Sequence, residues 1–186
     1  MEQLSQIGQA GKRAVRADNR ASLEIDRADS GIRRAVGDPT RFVVGLEQEL
    51  GRMRRHDDSS YLLMLTPDSR IEVTSLDRLG ARFAANLRSY DSLCRYGANH
   101  FLVMLPHVRD RDVGGIVRRL RIQVAGYPLK LAGGNDAFVT ATTGGVMLDF
   151  GSSLHENIDR AVLACSIAQR DGGNCDQMWR PGMQAA

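Results

Sequence analysis

The chain has 186 residues, 42% apolar and 25% charged, which suits one globular domain with an appendage and argues against a disordered chain. No apolar run approaches membrane-spanning length, the N-terminus lacks the apolar core of a signal peptide, and Cys94, Cys165 and Cys175 are odd in number and widely spaced. Membrane insertion, a zinc site and a disulfide framework are therefore not expected, and a reducing cytoplasm is the natural location. The net charge of +3 is mild, but only Lys12 and Lys130 among the 25 basic residues are lysine. A GC-rich genome produces such a bias; arginine is also the better side chain for planar, bidentate recognition of phosphate and guanine.

In residues 1–36, Leu4, Ile7, Gly11, Ala14, Asp18, Ala21, Ile25, Ala28, Ile32 and Ala35 follow alternating steps of three and four. That heptad spacing fits a two-stranded coiled coil carrying a homodimer. It fits a solitary helix as well, because alanine buries little area in a seam. Residues 1–37 are read as this helical segment. Asp38-Pro39 is a helix start, with an N-cap and proline at the first position. The helix it opens spans 39–56, with Phe42, Val43, Leu46, Leu50 and Met53 on one face. Tyr61–Leu65 reads as a buried strand, and residues 76–89 as an amphipathic helix through Leu76, Leu79, Phe83, Ala84 and Leu87.

Residues 95–106 read as a strand, a turn at Gly97-Ala98-Asn99-His100, and an apolar strand that ends in Leu105-Pro106. A helix near 110–125 follows, then a strand pair near 127–132 and 137–148. The last helix, about 154–170, is ended by Asp171-Gly172-Gly173-Asn174. The order predicts an α/β (α+β) sandwich over residues 38–180, with a central, mostly antiparallel sheet flanked by helices, and a tail over 181–186.

The hairpin Arg95-Tyr96-Gly97-Ala98-Asn99-His100-Phe101 resembles the signature of the GGDEF (diguanylate cyclase) family, commonly Arg-Tyr-Gly-Gly-Asp-Glu-Phe. Leu46–Leu50, Tyr61–Arg70, residues 139–148 and the last helix with its Gly-rich end resemble other segments of that domain in order and spacing. The resemblance implies a nucleotidyl-cyclase, palm-like fold over roughly residues 38–179. In that family a carboxylate pair holds magnesium so that one GTP can attack another across two subunits. The corresponding positions here are Thr66 and Asn99, both neutral, and His100 stands where the signature has glutamate. The guanine-reading segment before the next helix is missing, and the phosphate-binding Lys and Arg fall at Gln169 and Gly173. A chain without catalytic residues, without a metal and without a cofactor is expected.

The family's inhibitory, product-binding site is Arg-x-x-Asp placed five residues before the signature. Arg88-Ser89-Tyr90-Asp91 keeps that offset, whereas the copies Arg54/Asp57, Arg55/Asp58 and Arg109/Asp112 do not. A further family arginine falls at Arg119. Arginine can donate a bidentate pair to guanine O6 and N7, and aspartate can accept from N1 and N2. The residues alone also admit an ordinary surface ion pair of little energetic value.

His56, His107 and His155 have no neighbour at metal-ligand spacing and read as surface histidines. Ala132–Asp136 reads as a β-turn. The arginines at 109, 111, 118, 119 and 121 lack accompanying aromatics and a DNA-reading motif, so nucleic acid is not expected. Trp179 reads as a cap on the core. The expected function is a cyclic di-GMP receptor that signals through an unidentified protein partner or a changed homodimer. The alternative is a ligand-independent scaffold on the same fold.

Overall fold

A computed structural model describes residues 36–56 and 58–184, so the heptad segment lies almost wholly outside the described residues. Five strands form one sheet in the order β2-β3-β1-β6-β7. These are β1 (Tyr61–Pro67), β2 (Ser92–Tyr96), β3 (His100–Leu105), β6 (Ala141–Met147) and β7 (Asp176–Met178). All neighbours are antiparallel except β6 and β7. Among the described residues four helices flank the sheet: α1 (Pro39–Met53), α2 (Val73–Ala85), α3 (Asp110–Ala125) and α4 (Leu154–Arg170). The pair β4 (Leu129–Lys130) and β5 (Asp136–Ala137) makes a separate small hairpin.

Strand β1 is buried along its whole length and is paired on both edges. Successive side chains of a strand point to opposite faces, and the two cores follow that parity. Tyr61, Leu63 and Leu65 face α2 and α3, where they meet Leu79, Phe83, Val117 and Leu120. Leu62 and Met64 face α1 and α4, where they meet Phe42, Leu46, Ala161 and Cys165. Each fully buried leucine contributes about 1.5–3 kcal/mol, against about 0–1 kcal/mol for an exposed pair such as Arg121–Asp176 at 3.1 Å. Apolar burial therefore sets the layering, and the surface ion pairs decorate it.

Local chemistry sets the helix ends. The Asp38 carboxylate accepts from the Thr40 N–H at 2.8 Å, with Pro39 opening α1. Ser153 and Glu156 form a capping box on α4. Several expected boundaries shift. Helix α1 ends at Met53 rather than 56; on it Val43 is exposed and Glu49 is buried instead. Helix α2 runs over Val73–Ala85 rather than 76–89; Asn86 ends it, and its side-chain amide donates to the Arg82 carbonyl. The expected pair 127–132 with 137–148 is two separate units, because the chain leaves β5 and enters the main sheet only at Ala141. Strand β7 is absent from the sequence reading, since Asp176-Gln177-Met178 carries no apolar alternation.

Val36 and Gly37 already belong to the packed domain. The Gly37 N–H donates to the Leu93 carbonyl at 2.8 Å, and Val36 packs over Gly80 on α2. The tightest backbone approach is at Gly144 on β6. A Cβ there would lie 2.1 Å from the Cys165 nitrogen and 2.3 Å from the Ala161 carbonyl oxygen of α4. Neither backbone atom can yield without lifting the helix off the sheet. Gly144→Ala is expected to destabilise the fold by about 3 kcal/mol, at the upper end of ordinary overpacking. Urea unfolding followed by circular dichroism measures it, and a midpoint equal to wild type would show that α4 can move.

Candidate functional site

The signature hairpin forms as the sequence implies. Gly97 takes φ 64° in the turn, which only glycine adopts freely, and Tyr96 pairs with His100 across it. The residues around the turn bond to each other. Thr66, at the C-terminal end of β1, is buried, and its Oγ1 lies 2.7 Å from His100 Nδ1 and 3.5 Å from Cys165 Sγ. The Asn99 amide donates to the Pro67 and Ser69 carbonyls at 3.3 and 3.2 Å. The Asp68 carboxylate accepts from the Thr140 and Thr142 hydroxyls and from the Asn174 N–H. Only four residues separate Asp68 from α2.

Magnesium prefers anionic oxygens in a near-octahedral set. Thr66 and Asn99 offer none, and protein donors occupy both oxygens of Asp68. This donor set does not fit a divalent cation. Gly173, at one of the positions where the resemblance implies a phosphate-binding side chain, packs against the Asp68 carboxylate; a Cβ there would lie 3.1 Å from Oδ1.

Arg88, Asp91 and Arg119 come together at the other end of the hairpin, where β2 begins. Strand β2 spans four steps, or about 13 Å, between that end and the signature turn. Because α2 ends at Ala85 rather than 89, Arg88 and Asp91 lie past the helix and close a turn. The Asp91 N–H donates to the Arg88 carbonyl at 3.1 Å, and Asp91 Oδ2 accepts from the Arg88 N–H at 2.7 Å. Asp91 Oδ1 is buried and has no hydrogen-bond partner among the described residues. Burial pushes the Asp91 carboxyl above its ordinary value, and the Arg88 N–H and the charges of Arg88 and Arg119 offset part of that rise.

Arg119 reaches this turn from α3, where its Nη2 donates to the Asn86 carbonyl at 3.0 Å. Neighbouring Arg121 is committed elsewhere. It donates to the Ala141 carbonyl and to Asp176, at 3.0 and 3.1 Å. The sequence passes over two side chains beside the site. Tyr90, inside the motif, accepts from Arg88 Nη1 at 3.0 Å, and its ring meets His107 edge-on. His107 is a surface histidine, as the sequence suggests, and its Nδ1 pairs with Asp58. The aromatic inside Arg-x-x-Asp and the histidine after Leu-Pro were the available signals.

An open hollow of about 640 Å³ adjoins this end, lined by Arg52, Arg55, His56, Asp58 and His107. Below it Arg52 donates to both oxygens of buried Glu49 at 2.7 and 2.8 Å and to Asp58 at 3.1 Å. The Ser60 hydroxyl also donates to Glu49. Burial pushes the Glu49 carboxyl up, but the bonds from Arg52 and Ser60 outweigh it and hold it below its ordinary value.

Residues 74–175 match the family model described as diguanylate cyclase, GGDEF domain. The chain is 28% identical over 108 residues to the diguanylate cyclase DosC of Escherichia coli K12, covering 58% of this chain and 24% of DosC. It thus spans about a quarter of the length of that curated relative. Among solved structures, diguanylate cyclase SiaD of Pseudomonas aeruginosa, in complex with its activator SiaC, superposes with a TM-score of 0.64 at 24% identity, covering 95% of this chain and 71% of that one. The GGDEF domain of DgcB from Caulobacter crescentus, in complex with c-di-GMP, gives 0.67 at 19% identity, covering 82% and 97%. At these identities the superpositions show the fold alone.

The lowered Glu49 value has a defined consequence for stability. A carboxyl whose folded value is depressed stabilises the fold above its unfolded value and loses that contribution as pH falls through the folded one. Wild type should therefore lose stability from about pH 4.5, the ordinary glutamate value, downward. Glu49→Gln should cost on the order of 1.5–3 kcal/mol at pH 7, the worth of hydrogen bonds to a charged group. It should also flatten the acid dependence. Denaturant unfolding of both proteins at pH 7, 5 and 3.5 measures this; parallel curves would remove Glu49 as the titrating group.

Proposed function

Because this chain belongs to the diguanylate cyclase GGDEF domain family, we propose that it is a cyclic di-GMP receptor which binds the dinucleotide at Arg88, Asp91 and Arg119 and does not make it. The observation that carries this reading is the Asp91 carboxylate. One oxygen is held by the Arg88 N–H, while the other is buried without a donor beside two arginines. An exposed surface ion pair would not bury an unpaired oxygen, which costs free energy. Guanine N1–H and N2–H are the donors that such an oxygen suits, and the arginines suit guanine O6 and N7 and the phosphates.

The non-enzymatic part of the proposal is supported by the opposite end of β1. Thr66 and Asn99 are neutral and bonded within the protein, and Asp68 ties β6 to the turn after α4. The output we propose is a changed contact with a protein partner or with a second copy of the chain, biased by a ligand that favours one state. Residues 1–37 would supply a helical stalk for the homodimer. No described helix is long and apolar enough to cross a membrane.

Long incubation with GTP and magnesium, followed by chromatography, should yield no cyclic di-GMP, and calorimetry with cyclic di-GMP should give binding heat. Arg88→Ala should lose one bidentate guanine contact, worth on the order of 1–3 kcal/mol, or roughly tenfold to hundredfold in affinity. Asp91→Ala and Arg119→Ala should weaken binding as well. Arg54→Ala is the control: Arg54 bonds the Phe150 carbonyl on the α1 and α4 side of the sheet and should leave affinity unchanged. Product from GTP would defeat the non-enzymatic reading. Absent heat, or an equal loss in the control, would leave the scaffold reading.

The stalk is tested separately. Sedimentation of the full chain should show self-association that a chain starting at Ala35 lacks. Identical monomers in both would remove the stalk.

A further inference from the structure

Tyr90 occupies a variable position of the Arg-x-x-Asp turn, so the ligand contacts proposed above do not use it. Tyr90 is 51% exposed. Arg88 Nη1 donates to the Tyr90 hydroxyl at 3.0 Å, and the Arg88 guanidinium carbon lies 5.8 Å from the ring centroid. Both contacts restrain the same guanidinium, one by a hydrogen bond and one by cation–π attraction. They engage Nη1 and, among the described residues, leave Nε and Nη2 for a two-pronged donation.

The ring is itself braced. His107 meets it edge to face, with centroids 6.3 Å apart and planes at 86°. His107 Nδ1 pairs with Asp58, which accepts from Arg52 at 3.1 Å and from the Ser59 N–H at 3.1 Å. Val108 and Ser59 are stitched by two further bonds, 3.1 Å between backbones and 2.6 Å from the Ser59 hydroxyl. The tyrosine therefore stands on the joined ends of β1 and β3, while Arg88 lies in an exposed turn closed by Asp91, to which Arg119 also donates at the Asn86 carbonyl.

We propose that Tyr90 is a positioning residue of the cyclic di-GMP site, which orients the Arg88 guanidinium for guanine and lends its exposed ring face to the base. The inference rests on the receptor reading above. An unrestrained arginine side chain must be ordered when its ligand arrives, and that entropy is subtracted from affinity. A guanidinium already fixed by Tyr90 avoids most of that loss. Bases of any kind stack on an aromatic face, so the ring adds affinity while Arg88 and Asp91 select guanine.

Calorimetry of the full chain with cyclic di-GMP tests this on wild type, Tyr90→Phe, Tyr90→Leu, Arg88→Ala and the Arg88→Ala/Tyr90→Phe pair. Removing the hydroxyl in Tyr90→Phe should weaken binding about two- to tenfold, the range for one hydrogen bond. Removing the ring as well, in Tyr90→Leu, should weaken it about ten- to hundredfold. In the Arg88→Ala background the Tyr90→Phe change should cost nothing, since the hydroxyl acts only through Arg88. NMR of the free protein should show the Arg88 Nε–H more mobile in Tyr90→Phe than in wild type. Tyr90→Phe binding as tightly as wild type, an equal loss without Arg88, or unchanged Arg88 mobility would each overturn the inference while the receptor reading stands. Wild type without binding heat would overturn both.

Discussion

Strand β1 is the constraint on which the rest depends. It is the central strand of the five-stranded sheet, with β3 and β6 on its edges and helices on both faces. Its two faces decide which helices lie together: α2 and α3 on the odd-numbered side, α1 and α4 on the even-numbered side. Every polar group that matters is placed by where it falls relative to this strand. Thr66 and Asp68 come at its C-terminal end, and Asp58, Ser59 and Ser60 lead into its start. A slip of one residue would exchange the two cores and move Thr66 to the other face.

The two ends of the strand are in different chemical states. At the C-terminal end, Thr66, Asp68, Asn99 and His100 all have hydrogen-bond partners in the protein, and Asp68 joins β6 to the loop after α4. Thr66 is the buried member of this set, and polar groups that bond to one another stabilise a single arrangement. At the other end, Asp91 keeps an unpaired oxygen, Arg88 and Tyr90 are exposed, and Arg119 approaches from α3. Burial and two cations act on that one carboxylate in opposite directions, which is the kind of balance a bound ligand can shift.

The link between these ends is the five residues of β2. Strand β2 runs from the Arg88–Asp91 turn to the signature turn, and its free edge takes the Gly37 backbone. Gly37 therefore lies beside the same strand that joins the two ends. The Glu49–Arg52–Asp58–His107 set holds α1, the start of β1 and the end of β3 to one another, and Tyr90 leans on its last member. Glu49 is worth keeping charged only because Arg52 and Ser60 offset its burial; without them desolvation would win.

The sequence by itself determined the layered α/β class, most helices, the hairpin and the Asp38 cap, because periodicity, turn glycines and capping residues act over a few neighbours. It also marked Arg88, Asp91 and Arg119 through their offset from the signature, and Thr66, Asn99 and His100 through the altered signature. Tertiary structure alone decided the rest. Strand β7 exists because β6 offers an edge, with no alternation of its own. Glu49 is buried and Val43 exposed, and the buried Glu49 carboxylate is bonded by Arg52 and Ser60, a choice that apolar counting cannot make. Arg119 faces Asp91 while Arg121 is spent on β6 and β7, a distinction set by the angle of α3 on the sheet. His107 gains its role from contacts with Tyr90 and Asp58, seventeen and forty-nine residues away, and sequence spacing carries no signal for such contacts.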